Sequence, residues 1–81
     1  MKARVTVSPK KTVLDPQGQA IGSALKGRGY SAIAGVRQGK VFEIELAAGT
    51  ESGKARQEME EIARDILSNP VIEDYRVEIL D

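Results

Sequence analysis

Apolar and polar residues alternate with a period of two at both ends of the chain, and this pattern limits the fold more than any other feature. The alternation covers residues 3–8 near the amino end and residues 75–79 near the carboxyl end. A strict period of two is typical of β-strands that bury one face. The first and last elements are therefore predicted to be strands of a sheet with one face on a core.

Two stretches between these strands have the spacing of amphipathic helices. The first begins at Asp15-Pro16, since the Asp15 carboxylate can accept hydrogen bonds from free backbone N–H groups and Pro16 loses none at the first helical position. Gly18 and Gly22 weaken this helix unless a neighbouring backbone packs closely against them. A second helix, capped by Thr50 or Ser52, is predicted to end at residues 69–70.

Two further strands are predicted between the helices, over residues 33–38 and 40–48. Gly39 is expected to supply the positive φ of a tight hairpin turn between them. The order becomes βαββαβ, an α+β ferredoxin-like fold in which one antiparallel sheet carries both helices on one face. The chain is read as a single domain, residues 1–81. The outer sheet face is predicted to hold Arg4, Thr6, Arg37, Glu43, Glu45, Arg76 and Glu78.

The small size of the chain predicts self-association. A domain of 81 residues buries only about 60–65% of the surface that its unfolded chain exposes. Val, Ile, Leu and Phe together make up roughly a quarter of the residues, which is only a little above the disordered range. A dimer or larger assembly is therefore expected. The absence of an 18-residue apolar run and of a signal-peptide pattern predicts a cytoplasmic protein that does not associate with membranes.

Charge is divided unevenly along a chain whose net charge is zero. Residues 1–40 carry a net charge of +7 and residues 41–81 a net charge of −7. This division can steer docking, or it can resolve into pairs between basic and acidic strands of one sheet. A nucleic-acid partner is not expected, because the chain lacks a uniformly basic surface and has few aromatic residues for base stacking.

The sequence offers little for catalysis or metal binding. The chain has no cysteine and no histidine, so it lacks a thiolate nucleophile and the usual neutral-pH proton carrier. Residues 35–40 have the wrong glycine spacing for a phosphate loop, and residues 27–32 end a helix where a dinucleotide fingerprint would open one. No catalytic residue and no metal ligand are predicted.

Three stretches together resemble the PurS family, the small subunit of phosphoribosylformylglycinamidine synthase. They are residues 13–18 at the first helix, residues 36–40 at the predicted hairpin and residues 69–76 before the last strand. The resemblance implies a dimeric bridge, not catalytic alone, that joins a glutaminase (PurQ-type) subunit to a synthetase (PurL-type) subunit and helps ammonia pass between them. It also implies that the complex uses ATP and Mg, with no cofactor bound by this subunit alone.

The resemblance also implies which residues contact partners or ligands: Lys10, Lys11, Asp15, Arg37, Gly39 and Lys40. Pro16 and Gly18 are expected to be structural, and helix capping alone could account for Asp15. Surface charge alone could account for Arg37 and Lys40. The architecture by itself leaves a second function open, since ACT-like domains that sense small molecules share the βαββαβ order.

Overall fold

The computed structural model describes residues 1–80, and in that range three antiparallel strands form one sheet. The strands are β1 (Lys2–Pro9), β2 (Lys40–Glu45) and β3 (Glu73–Leu80), in the order β2-β1-β3. The helices are α1 (Pro16–Gly27) and α2 (Ser52–Ile62), and α2 continues into a π-helical turn, Ala63–Leu67. The ferredoxin-like class is confirmed, although within residues 1–80 the strand predicted over residues 33–38 is not formed.

The core lies between α2 and the inner face of the sheet. Ala3, Val5 and Val7 on the central strand are fully buried. Met59 and Ala63 pack on them from the helical side, together with Val77 of β3. Helix α2 lies over β1 and β3. Its first turn is capped by Glu51, which accepts hydrogen bonds from the backbone of Gly53 and Lys54, so the predicted cap at Thr50 or Ser52 is wrong.

The outer sheet face carries charges of both signs in neighbouring strands. Arg4 lies opposite Glu43 on β2 and opposite Glu78 on β3. The Glu43 carboxylate forms an ion pair with the Arg4 guanidinium at 3.3 Å and another with the Lys2 ammonium at 3.7 Å. The prediction that basic and acidic strands pair within one sheet is confirmed. Arg37 does not belong to this face, because the segment that contains it is not a strand.

The predicted strand over residues 33–38 is wrong, and so is the hairpin turn at Gly39. Residues 33–39 have no regular structure, and positive φ is confined, within residues 1–80, to Gly29 and Gly49. The segment instead lies beside α1, where a Cβ on Gly22 would meet Val36 Cγ2 at 3.7 Å. The strand that follows is also shorter than predicted, since β2 ends at Glu45 and not at residue 48.

Helix α1 and the segment that follows it project from the sheet. We call residues 16–38 the arm. Within the described residues α1 makes almost no contact with the strands, and the molecule measures 50 × 26 × 14 Å with a radius of gyration of 16.1 Å. A compact domain of this length has a radius of gyration of about 12 Å. Across residues 1–80, no helix combines the length and apolar character needed to cross a lipid bilayer.

Candidate partner-binding site

The Asp15 carboxylate holds both ends of the arm. One oxygen accepts a hydrogen bond from Gly18 N at 3.1 Å, which caps the first turn of α1 as the sequence predicts. The other oxygen accepts from Gln38 N at 2.7 Å. Asp15 therefore joins the start of the helix to the end of the segment that returns to the sheet, a contact beyond capping.

Arg37 also holds this junction, by which we mean the place where residues 9–18 meet residues 36–40 at the base of the arm. Its guanidinium donates to the carbonyl oxygens of Pro9 at 3.0 Å and of Lys11 at 3.3 Å, and also to that of Lys10. Charge-assisted bonds to several carbonyl groups hold a backbone segment in one conformation more firmly than neutral bonds do. Arg37 thus ties the end of the arm to the connection that leaves β1.

Two glycines allow the backbones at this junction to approach each other. A Cβ on Gly39 would lie 2.6 Å from Val7 O. A Cβ on Gly18 would lie 2.5 Å from Asp15 Oδ2 and would also overlap Val36 O. Real side chains do not tolerate such distances, so both positions need glycine for space, without any need for positive φ.

The remaining cations lie at the same end of the sheet. Lys10 pairs with Asp74 at 2.6 Å, and Lys40 lies 4.0 Å from Glu73 with 61% of its side chain exposed. Lys11 is exposed. Because β1 ends where β2 and β3 begin, residues far apart in sequence meet here. The structure therefore places all six predicted contact residues at one end of the sheet, at the base of the arm, and their role as contacts stays a prediction.

Exposed apolar side chains that the sequence patterns do not single out line the same region. Leu14 is 67% exposed and Ile72 is 43% exposed. Both border an open groove of about 400 Å³ that also includes Gly39 and Lys40. Each lies between regular elements and belongs to no amphipathic stripe. Both fall within stretches that carry the family resemblance, residues 13–18 and 69–76, but no periodic pattern there predicts that their side chains are exposed.

The junction has the chemistry of a binding surface. Lysine ammonium groups lie there beside the Asp15 carboxylate and exposed aliphatic side chains. Together these groups can bind a protein surface that has both polar and apolar parts. Among residues 1–80, no group of three or more acidic side chains is arranged to hold a metal ion.

The two hydrogen bonds that Asp15 accepts, from Gly18 N and Gln38 N, are called the clasp. They make the stability of the arm depend on the charge of Asp15. The hydrogen bond from the Gln38 backbone, followed by that from Gly18, lowers the pKa of Asp15 below its ordinary value of 3.8. A lowered pKa stabilises the folded state above the ordinary value, and this contribution is lost as pH falls through the folded-state pKa. Asp15→Asn is therefore expected to lower the melting temperature at neutral pH, with the difference shrinking below about pH 4.

Thermal unfolding of both proteins at a series of pH values measures this effect. Glu58→Gln, at an exposed position of α2, serves as the control for loss of one negative charge. A melting-temperature difference for Asp15→Asn that stays constant from neutral pH to pH 2 would contradict the charge dependence of the clasp.

Comparison with known proteins identifies the family. The model of the PurS family, described as phosphoribosylformylglycinamidine (FGAM) synthase, matches residues 2–81. This chain belongs to the PurS family. The resemblance found in the sequence is therefore confirmed, and the junction at the base of the arm is a feature of a PurS chain.

Relatives and solved structures in the PurS family match nearly the whole chain. The Mycobacterium leprae PurS subunit is 42% identical, covering 94% of this chain and 91% of that protein. The Bacillus subtilis PurS structure is 38% identical with a TM-score of 0.83, covering 99% of this chain and 98% of that one. A Thermotoga maritima structure described as PurLQS gives 29% identity and a TM-score of 0.85, covering 98% and 95%.

Proposed function

We propose that this protein is the PurS subunit of phosphoribosylformylglycinamidine synthase and acts as a bridge between its glutaminase and synthetase subunits in purine biosynthesis. The observation that carries the proposal is the match of the family model to residues 2–81. A T. maritima relative whose structure is described as PurLQS supports assembly with PurL-type and PurQ-type subunits. Family membership favours this role over that of an ACT-like sensor.

The chemistry of the complex is assigned to its larger subunits. The synthetase uses ATP and Mg to convert the substrate amide to an amidine, and the glutaminase releases the ammonia that is consumed. The present chain contributes binding surfaces, works in the cytoplasm and shields the route of ammonia between the two sites. The cations and exposed apolar side chains at the base of the arm support contact with these partners.

The assembly is tested with purified components. The synthetase and glutaminase subunits from the same organism are mixed with and without this protein and separated by size-exclusion chromatography with light scattering. A complex of all three is expected only in its presence. Co-elution of the two large subunits without it, or its own elution apart from both, would contradict the bridging role.

Lys40→Ala is expected to weaken this assembly without changing the fold. Lys40 is largely exposed, and its distance of 4.0 Å from Glu73 makes the intramolecular pair worth less than about 1 kcal/mol. Its melting temperature should therefore stay within a few degrees of that of the unmodified protein. The measurement is the titration of the two large subunits with each variant.

Arg37→Ala is the informative comparison for Lys40→Ala. It removes the three hydrogen bonds to the backbone of residues 9–11 at the end of β1, so it should lower both the stability of the protein and its assembly. Arg28→Ala is the control, since it changes an exposed arginine just after α1 and should affect stability little. Unchanged complex formation by Lys40→Ala would place that residue among ordinary surface charges.

A further inference from the structure

Strand β3 forms an edge of the sheet that is regular over its whole length. All eight of its residues, Glu73–Leu80, pair in step with β1 and without a bulge. Among residues 1–80, nothing pairs with the other edge of this strand. Prolines, bulges and very short strands are common means by which proteins keep an open edge from pairing with another chain. Strand β3 has none of these protections.

The hydrogen-bond pattern shows which backbone groups of β3 face the open edge. Lys10 N donates to Ile72 O at 2.9 Å, and these two residues continue the register of β1 and β3. In an antiparallel ladder, residues that bond to the neighbouring strand alternate with residues whose N–H and C=O groups point away from it. The even-numbered residues of β3 therefore bond to β1, while Tyr75, Val77 and Ile79 direct their backbone groups to the open edge.

Arg56 of α2 bonds to the carbonyl group at the centre of this edge. Its Nη1 donates to Val77 O at 3.3 Å, and the same nitrogen lies 4.0 Å from the Glu60 carboxylate, one turn further along the helix. A further strand would need to place one of its own N–H groups about 2.9 Å from the same oxygen. Such a strand would compete with the Arg56 guanidinium for this position.

The open edge of β3 is complementary to the same edge of a second copy. When two β3 strands are set antiparallel about a two-fold axis at Val77, Arg76 of each copy lies opposite Glu78 of the other, and Tyr75 lies opposite Ile79. Cross-strand pairs of opposite charge, and pairs of aromatic and β-branched residues, stabilise a sheet. The side chains of β3 therefore favour this pairing, and protection has to come from a residue outside the strand.

We propose that Arg56 keeps two copies of this chain from joining through their β3 edges. Its bond to Val77 O is an inhibitory contact within the chain, because it occupies the acceptor on which the two-fold pairing is centred. Self-association is expected from the small size of the chain, and a second two-fold contact at β3 would join such units into larger assemblies. The proposal concerns contacts between copies of this chain, so its failure would leave the bridging role untouched.

Arg56→Ala tests the inhibitory contact directly. Alanine has the highest helix propensity, so the variant keeps α2 and loses only the side chain that reaches Val77 O. Sedimentation equilibrium should give about twice the mass of the unmodified protein at the same micromolar concentration. Lys54→Ala, which removes one positive charge from an exposed position of α2, is the control and should leave the mass unchanged. An unchanged mass for Arg56→Ala would overturn the proposal.

A second substitution shows whether the new contact is the β3 edge. Arg76 lies on the outer face with 74% of its side chain exposed, so Arg76→Glu does not disturb the core. Combined with Arg56→Ala, it places a glutamate opposite Glu78 of the other copy, and like charges directly opposite each other destabilise a sheet. The double variant should return to the mass of the unmodified protein. A doubled mass in both variants would place the contact elsewhere and overturn the proposal.

Hydrogen exchange of the unmodified protein tests the proposal without any substitution. The amides of Tyr75 and Ile79 face the open edge and should exchange more than about tenfold faster than those of Arg76 and Glu78, which bond to β1. Equal protection of all four amides would show that the edge is already paired in solution, and the proposal would be overturned.

Discussion

Val5→Asp is expected to abolish folding. Val5 is the central residue of the central strand, it is fully buried, and its neighbours across the sheet are Phe42 and Val77. A carboxylate there would lack a partner, at a cost of several kcal/mol. Small domains have only about 5–15 kcal/mol of stability in total, so the variant should lose its cooperative unfolding transition, as followed by circular dichroism.

Thr6→Asp is the matched control for this prediction. Thr6 follows Val5 in the chain but faces the outer side of the sheet, where it lies opposite Arg76. An aspartate there faces solvent and a cation, and stability should change by less than about 1 kcal/mol. A cooperative transition for Val5→Asp close to that of the unmodified protein would show that the core lies elsewhere.

Gly18→Ala and Gly22→Ala are expected to change stability in opposite directions. Alanine is about 1 kcal/mol better than glycine inside a helix, so helix propensity alone favours both changes. At Gly22 the new Cβ would meet Val36 Cγ2 at 3.7 Å, an ordinary contact. At Gly18 it would lie 2.5 Å from Asp15 Oδ2 and overlap Val36 O, which forces the clasp apart at a cost of about 1–3 kcal/mol.

Thermal unfolding separates the two effects. Gly22→Ala should raise the melting temperature by a few degrees, and Gly18→Ala should lower it by several degrees, since 1 kcal/mol corresponds to about 4–8 °C in a domain of this size. Equal stabilisation by both substitutions would mean that the end of the arm does not pack against the first turn of α1.

The elements that sequence predicts correctly are those whose signals are local. Strands β1 and β3 follow from the alternation of residues 3–8 and 75–79, and the start of α1 follows from Asp15-Pro16. The strand predicted over residues 33–38 is wrong because its place depends on distant groups: Asp15 bonds to Gln38 across 23 positions, and Arg37 bonds to Pro9 across 28. Alternation within six residues carries no information about such contacts.

The candidate site shows the same limit. Family resemblance points to Lys10, Arg37 and Lys40, and antiparallel pairing explains why they gather at one end of the sheet. The use of the Arg37 guanidinium on three carbonyl groups has no signature in the sequence, because carbonyl acceptors exist at every residue. The exposure of Leu14 and Ile72 depends on how the connections turn, which apolar residue content alone does not reveal.

The bridging role is tested most directly by comparing two nitrogen sources. The synthetase and glutaminase subunits are assayed for amidine formation with and without this protein, first with glutamine and then with ammonium salt. We expect glutamine-dependent turnover to be lost without this protein, while ammonia-dependent turnover by the synthetase continues. Full glutamine-dependent turnover in its absence would contradict the bridging role.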